Sequence, residues 1–211
     1  MDVDAQSENE DVPRPRPQLT TNCGLLAEVP ECLPTVAQWL HCEWYAARGM
    51  SPQETENLLT ERMRRSRLPM CAVAVRDSEA VGTASLLAYE CPEVHADPRS
   101  VLADVFVPES QRGQRIASSL CRWMIDRAAA MGVEQLFVMT AGPPVLYKRL
   151  GWRTVQRNLP GPRGQKITLL VLDVGASRLE GAPGRRDVTH KIDVPPDRRT
   201  TTDGQRLTDN D

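Results

Sequence analysis

The stretch from Val101 to Ala117 has residue types and spacing suited to anion binding. An apolar, β-branched run ends at Pro108, and the polar segment Arg112-Gly113-Gln114-Arg115-Ile116-Ala117 opens an amphipathic pattern that continues to Met131. The first backbone N–H groups of a helix have no partner within the helix, and they lie at the positive end of its dipole. This order of strand, turn and helix therefore predicts a site for the phosphate or pyrophosphate of a ligand.

Asp104 interrupts the apolar strand that precedes this turn. An unpaired carboxylate is costly inside a sheet, so such a residue is a candidate either for proton transfer or for a structural hydrogen bond. Strand alternation places its side chain on the face opposite Val105 and Val107. Four further polar candidates precede the strand, namely Glu90, Glu93, His95 and Asp97.

Hydrophobic periodicity places these residues in an alternating series of strands and helices. Ser51 and Glu54 form a capping box at a helix start, and helix ends are expected at Gly49, Gly132 and Gly151. The expected strands cover residues 23–29, 70–75, 81–89, 101–107, 135–140, 152–155 and 166–174. The expected helices cover residues 33–47, 52–65 and 116–131, with a short helix that stops at Gly151.

The two ends of the chain differ from its centre in composition. Residues 1–17 are acidic and then alternate proline with arginine, and residues 176–211 contain almost no large apolar side chains. Neither end buries enough surface to offset its loss of conformational entropy. The sequence therefore predicts disordered tails at 1–21 and 176–211 around a single domain at 22–175.

Charge, hydropathy and cysteine spacing exclude several classes of protein. A net charge of −2 and a pI near 6.0 argue against a nucleic-acid-binding protein. The chain has no apolar run of membrane-spanning length and no signal-like start, so we expect a cytoplasmic protein without a membrane partner. The six cysteines are scattered singly without a CxxC pair, which predicts reduced thiols and no metal site.

The order of these elements and two of their motifs resemble the GNAT superfamily of acyl-CoA-dependent N-acyltransferases. The first motif is the segment from Arg112 to Ala117, and the second is Leu146-Tyr147-Lys148-Arg149-Leu150-Gly151-Trp152. The resemblance covers about residues 22–174. It implies an α/β (α+β) fold with a mixed, mostly antiparallel central sheet of about seven strands and about four flanking helices.

The resemblance also implies acetyl-CoA as cofactor and co-substrate, and it assigns roles to individual residues. The loop from Arg112 holds the pyrophosphate, with Arg115 where the family usually carries a glycine, whose missing Cβ lets the backbone approach the ligand. Tyr147 is the implied general acid for the leaving thiolate, since a phenol titrates at about 10 and a thiol at about 8.5. The implied cofactor-binding residues are Val105, Phe106, Val107, Arg112, Gly113, Gln114, Arg115, Ile116 and Ala117.

The sequence leaves open which group deprotonates the acceptor amine. Asp104 is a possible base, and the acids and the histidine that precede its strand are alternatives. On the first helix, His41 or Glu43 is expected at the acceptor groove, whereas Trp39 and Trp44 are expected in the core. A basic cluster favours acidic acceptors or forms a solvated face, and it consists of Arg62, Arg64, Arg65 and Arg67.

We therefore expect an N-acetyltransferase that moves an acetyl group to an amine by direct attack, with a backbone N–H of the strand as the oxyanion donor. Cys91 and Cys121 have no neighbour that activates a thiol, so no cysteine nucleophile is expected. The expected acceptor is a small-molecule or peptide amine, and the expected assembly is a monomer or homodimer. Two alternatives stay open: a sensor or scaffold module that binds acyl-CoA without turnover, and a small α/β domain without CoA affinity.

Overall fold

The structure is a computed structural model that describes residues 21–89, 99–161 and 163–175. The expected tails at 1–21 and 176–211 lie outside these ranges except for residue 21. The polar candidates Glu90, Glu93, His95 and Asp97 also lie outside them. Within the described ranges, no helix is long and apolar enough to cross a membrane.

The described chain folds into one mixed sheet with helices on both faces. The strands are β1 (Asn22–Leu25), β2 (Met70–Arg76), β3 (Glu79–Leu87), β4 (Ser100–Phe106), β5 (Gln135–Thr140), β6 (Arg153–Pro160) and β7 (Lys166–Asp173). The helices are α1 (Leu33–Leu40), α2 (Pro52–Glu61), α3 (Ile116–Ala130) and α4 (Val145–Arg149). The strand order is β1-β2-β3-β4-β5-β7-β6, and every neighbouring pair is antiparallel except β4 with β5. The expected mixed, mostly antiparallel sheet is confirmed.

Two apolar layers hold the sheet between its helices. On one face, Leu40 of α1 and Leu59 of α2 are fully buried together with Val73 of β2. On the other face, α3 buries Leu120 and Met124 against the strands. Because burying one such side chain stabilises the fold by about 1.5–3 kcal/mol, the two layers fix the position of β4 between them.

The start and stop signals found in the sequence are confirmed. The Ser51 hydroxyl accepts the Glu54 N–H at 3.2 Å, and Glu54 Oε2 accepts the Ser51 N–H at 2.7 Å, so a capping box begins α2. Gly49, Gly132 and Gly151 each end a helical segment with a positive φ. Glycine adopts this left-handed conformation without the Cβ clash that other residues meet.

At the ends of β1 and α2, polar contacts redirect the chain away from the expected boundaries, and β6 runs to Pro160 rather than to residue 155. β1 stops at Leu25 rather than at residue 29, since the Glu28 carboxylate accepts the Leu25 N–H at 3.1 Å within a 3₁₀ turn. α2 ends before Arg62 rather than near residue 65. The carbonyl oxygen of Arg62 instead accepts the N–H of Cys71 at 3.0 Å, which ties the end of α2 to β2.

The first helix is also shorter than expected. α1 ends at Leu40, and the chain continues through a π-helical turn at His41–Tyr45 and a 3₁₀ turn at Ala46–Arg48. The N–H of the residue after the π-helical turn bonds to the His41 carbonyl, five positions back. This wider turn rotates the following side chains around the axis and directs Tyr45, which is 4% exposed, into the interior.

Candidate active site

β4 and β5 separate after two paired positions. Ser100 lies opposite Leu136 and Val101 lies opposite Phe137, and no further pairs join these strands in the described structure. A cavity of about 270 Å³ lies in the resulting gap. Its lining residues come from the π-helical turn, both strands, α4 and the β6–β7 loop, and they include Glu43, Trp44, Asp104, Val105, Tyr147 and Arg163.

A bulge in β4 forms one wall of this gap. Ser85 of β3 lies opposite Ala103, and Thr83 lies opposite Phe106, so β4 has one residue more than β3 between these pairs. Asp104 lies in the bulge with a φ of 51°, in the left-handed region that residues other than glycine rarely adopt.

The side chains of Asp104 and Val105 point to opposite faces of the sheet. Asp104 is directed toward the α1 and α2 side, whereas Val105 and Val107 pack against the α3-side core. The expected opposition of faces is confirmed. The carboxylate therefore belongs to the layer that contains the π-helical turn.

Two buried side chains hold the Asp104 carboxylate. Arg62 Nη1 lies 2.5 Å from Oδ2, and the Tyr45 hydroxyl donates to the carboxylate, at 3.1 Å from Oδ1 and 3.2 Å from Oδ2. Arg62 Nη2 donates to the Tyr45 hydroxyl at 3.0 Å, and Nη1 also donates to Ser85 Oγ at 3.4 Å. The side chains of Arg62 and Asp104 are each 7% exposed, so this ion pair is buried. Each charge compensates the other where water is excluded.

The ionisation of this group follows from its burial and its charges. Burial lowers the pKa of Arg62, but the Asp104 carboxylate and Tyr45 outweigh that effect and raise the Arg62 pKa above its ordinary value. Burial, and next the Asp104 charge, raise the pKa of Tyr45 above its ordinary 10.0. The guanidinium is therefore charged and the phenol protonated at neutral pH. Tyr45 can thus accept from Arg62 and donate to Asp104 at once.

Tyr147 lines the same cavity as Asp104 and is fixed by its own motif. Its ring packs edge-on against Trp152, with ring centroids 5.8 Å apart. The backbone N–H of Trp152 donates to the Tyr147 carbonyl at 3.1 Å, and that of Gly151 donates to the Lys148 carbonyl at 3.1 Å. These contacts end α4 and place the phenol beside the gap.

The segment that follows β4 forms the expected turn and helix start. Within the described part of the chain, no side chain caps the N-terminus of α3. A cavity of about 160 Å³ adjoins this end and is bordered by Val107, Gly113, Arg115 and Ile116, among others. Arg115 has a φ of 62° and a ψ of 12°, and Gly113 has a φ of 78°. Arg115 therefore adopts a left-handed conformation that suits glycine better than arginine.

Side-chain contacts hold this loop from outside the motif. Arg76 Nη1 donates to Gln114 Oε1 at 2.7 Å and to Gln111 Oε1 at 3.2 Å. Arg112 Nε donates to the Val107 carbonyl at 3.2 Å. Arg76 belongs to β2, so it is 35 and 38 positions away from the loop residues that it contacts. The sequence motif of the loop therefore does not predict this contact.

Phe106 lies in a different environment from the valines that flank it. Its ring packs against those of Trp39 and Trp44, with centroid distances of 5.6 Å and 6.1 Å. The expectation that both tryptophans belong to the core needs correction. Each is half-buried because it covers Phe106 at the margin of the α1-side core.

The polar residues of the first helix separate into two roles. Glu43 lines the cavity, whereas His41 forms a 3.1 Å hydrogen bond with the Thr55 hydroxyl of α2. Arg163, from the β6–β7 loop, lines the same cavity and donates to the Glu43 carbonyl at 3.4 Å. A carboxylate and a guanidinium from distant segments thus border the space beside Tyr147.

The basic cluster forms a solvated face only in part, because Arg65 and Arg67 are exposed whereas Arg62 is not. Arg62 is buried, whereas Arg64 donates to the Leu68 carbonyl at 3.5 Å and Arg65 to the Ala27 carbonyl at 3.0 Å. These arginines bind groups of the protein itself.

The network around Asp104 was not predicted from the sequence. Thr55, Leu59 and Arg62 recur at helical spacing and are all buried, so Arg62 extends the apolar stripe of α2. That spacing is a signal that could have indicated its burial. Tyr45 carried no comparable signal, because its inward direction depends on the π-helical turn.

Four of the five described cysteines are unsuited to nucleophilic catalysis. Burial raises the pKa of Cys121 to about 12 and also raises the pKa of Cys23, Cys32 and Cys71. These thiols stay protonated at neutral pH. Cys91 lies outside the described residues.

Comparison with protein families places the chain in a class. A model of the acetyltransferase (GNAT) family matches residues 33–152, which is more than half of the chain. The chain therefore belongs to the GNAT acetyltransferase family and is an acyltransferase. The resemblance carried by its two sequence motifs is confirmed. None of the curated proteins compared matches the chain.

Solved structures share this fold at low sequence identity. An aminoglycoside 6′-N-acetyltransferase complexed with coenzyme A is 14% identical, with a TM-score of 0.56, and covers 79% of this chain and 99% of its own. An aminoglycoside 6′-N-acetyltransferase from Enterococcus faecium is 16% identical, with a TM-score of 0.56 and the same coverage. An N-acetyltransferase from Staphylococcus aureus is 15% identical, with a TM-score of 0.57, and covers 74% of this chain and 99% of its own.

Proposed function

We propose that this acyltransferase moves an acetyl group from acetyl-CoA to an amine by direct attack in the gap between β4 and β5. The observation that carries the proposal is the position of two cavities along one stretch of strand. The larger cavity adjoins Asp104 and Val105, and the smaller adjoins Val107 and the start of α3. A ligand lying along this stretch reaches from an anion site to Tyr147, and one structural neighbour is complexed with coenzyme A.

The start of α3 is the proposed site for the pyrophosphate. Its unpaired N–H groups and the positive end of the helix dipole favour an anion, and Arg115 adds a cation. Among the described residues, the backbone of Val105, Phe106 and Val107 has no strand partner on the β5 side, so it can form hydrogen bonds with the pantetheine arm. Acetyl-CoA supplies the thioester, which is an activated acyl group.

The acyl transfer itself needs a hydrogen-bond donor for the thioester carbonyl, an acid for the leaving thiolate and a base or water for the proton of the amine. A backbone N–H on the free stretch of β4 polarises the thioester carbonyl. The amine nitrogen forms the new C–N bond as the C–S bond breaks, and Tyr147 donates its phenolic proton to the leaving thiolate. Solvent returns a proton to the phenolate, while the ammonium formed by attack loses its proton to a base or to water.

The acceptor enters beside Glu43 in this proposal. The Glu43 carboxylate attracts an ammonium group and is a proton acceptor at the cavity. Two of the structural neighbours are named as aminoglycoside 6′-N-acetyltransferases, which supports an amine acceptor, either a small molecule or a peptide. A cytoplasmic location and a monomeric or homodimeric assembly stay predictions.

The test is a thiol-release assay with acetyl-CoA and amines of different classes. Tyr147→Phe should lower kcat by about 100-fold, because general acid catalysis is lost, while the Kd for acetyl-CoA stays unchanged. Tyr89→Phe is the matched control, since the exposed Tyr89 lies outside the cavity, and it should retain wild-type kcat.

Two outcomes would contradict the proposed reaction. Binding of acetyl-CoA without release of CoA to any amine would favour a sensor or scaffold module. Absence of thermal stabilisation by millimolar acetyl-CoA would favour an α/β domain without CoA affinity, because a ligand well above its Kd stabilises the folded state.

A further inference from the structure

Asp104 belongs both to the wall of the gap and to a buried ion pair. The residue lines the cavity, while its carboxylate is bound by Arg62 and Tyr45. We propose that Arg62, Tyr45 and Asp104 form a positioning network that fixes the β4 bulge for acyl transfer, and that Asp104 does not serve as the base. This inference rests on the proposed function, because the rate of acyl transfer is what it explains.

The contacts of the carboxylate argue for positioning rather than proton transfer. A base must present a lone pair to the proton that it removes. Oδ2 of Asp104 already accepts from Arg62, and the Tyr45 hydroxyl donates to the same carboxylate. All of these donors come from the α1 and α2 side, and the Asp104 side chain is 7% exposed. The carboxylate is therefore turned into the protein.

The backbone of Asp104 shows what the network holds in place. Its φ of 51° is a left-handed conformation for a residue with a Cβ, and such a conformation persists where surrounding contacts fix it. Val105 follows directly and adjoins the cavity. Because the bulge determines how the next peptide groups are directed, the ion pair controls the direction of the backbone N–H proposed to polarise the thioester carbonyl.

The anchors come from elements that also border the acceptor side. Tyr45 ends the π-helical turn that contributes Glu43 and Trp44 to the cavity, and Arg62 follows α2. The network therefore connects the acceptor side of the gap to β4, the strand along which the thioester is proposed to lie. A shift between them would misalign the reacting atoms, to which the rate of a bimolecular step is highly sensitive.

The first experiment removes a single oxygen atom from the network. Tyr45→Phe should lower kcat by about tenfold, the effect of one lost hydrogen bond expressed in the transition state. The KM for acetyl-CoA should change by less than about twofold, because the pyrophosphate loop beyond Val107 is untouched. Val174→Ala is the stability control: it trims a buried side chain after β7, away from the cavity, and should leave kcat unchanged.

The second experiment removes the charges singly and together. Asp104→Asn and Arg62→Met should each lower kcat by at least about tenfold, because each leaves a buried charge without its partner. The double variant Arg62→Met/Asp104→Asn should recover at least about threefold in kcat over Asp104→Asn alone, because no unpaired charge is left. If a single variant does not fold, Tyr45→Phe and the double variant still provide the comparison.

The outcomes separate this inference from the proposed function. A double variant as inactive as Asp104→Asn, together with loss of the acidic limb of the kcat/KM profile, would identify Asp104 as the base and overturn the inference. Wild-type kcat in Tyr45→Phe would overturn it as well. A wild-type protein that releases no CoA with any amine would instead overturn the proposed function.

Discussion

The stretch of β4 beyond Val101 has unlike environments at its two ends. Past Val107 the chain enters an exposed turn, where the groups proposed to bind the pyrophosphate are backbone N–H groups at the start of α3. At Asp104 the same strand is held by buried side chains from other elements. The exposed end is built from consecutive residues, whereas the partners at the buried end are separated by 17 to 59 positions in sequence.

The two ends therefore depend on different properties of the chain. The exposed end depends on backbone conformation and on the sign of nearby charge, so most side-chain changes there should be tolerated. The buried end depends on complementary charges whose desolvation is compensated only when both are present. The following variants compare the two ends directly.

The largest contrast should come from removing one arginine at each end. Arg62→Met leaves the Asp104 carboxylate buried and unpaired, and we expect the free energy of unfolding to fall by about 3–5 kcal/mol. Arg112→Met removes an exposed contact with the Val107 carbonyl and should change it by less than about 0.5 kcal/mol. Urea unfolding followed by tryptophan fluorescence measures both, and equal losses would contradict the contrast.

A negative charge placed in the exposed loop should strongly weaken the binding of acetyl-CoA, while the network at the buried end stays intact. Gly113→Asp adds strain at a φ of 78° and a like charge at the pyrophosphate site, so we expect at least about 100-fold weaker acetyl-CoA binding by calorimetry. Gly132→Asp is the matched control, because it has a φ of 77° at the other end of α3. Weakened binding in both variants would show that strain, and not charge, is responsible.

Alkaline pH should destabilise the buried end selectively. Burial and the Asp104 charge raise the pKa of Tyr45, so the folded state resists ionisation of a phenol that ionises freely when unfolded. The contribution of Tyr45 to the free energy of unfolding is fully present below pH 10.0. It is lost as the pH rises above that value, by about 1.4 kcal/mol per pH unit. Urea unfolding at about pH 10 and 11 should show a shallower loss for Tyr45→Phe than for Tyr89→Phe. Identical slopes would rule out this linkage.

The smallest expected effect concerns the backbone of the exposed end. Arg115 has a φ of 62°, which costs about 1 kcal/mol for a residue with a Cβ. Arg115→Gly and Arg115→Ala both remove the cation, but only glycine relieves the strain. We therefore expect the glycine variant to be more stable than the alanine variant by about 0.5–1 kcal/mol in thermal unfolding. A more stable alanine variant would contradict the assigned conformation.

The contrast also explains how much the sequence could predict. The fold and the two cofactor-related motifs depend on local signals, such as the capping box at Ser51 and the glycine that ends α4. Such signals involve residues close together in the sequence, so the sequence alone reveals them. The network at Asp104 could not be read in the same way. The burial of Arg62 and the direction of Tyr45 are set by packing between α2, the π-helical turn and β4.

The short parallel seam between β4 and β5 limits how firmly the two halves of the sheet are joined. Two paired positions join one half of the sheet, β1 to β4, to the other half, β5 to β7, while the other junctions are longer antiparallel ladders. Under the proposed function, the amide groups of the pantetheine arm would bridge the two halves of the sheet across this seam. A ligand bound in this way stabilises the folded state by about 2.7 kcal/mol at 100 times its Kd. Under the proposed function, bound acetyl-CoA would therefore reinforce a short junction of the sheet as well as supply the acyl group.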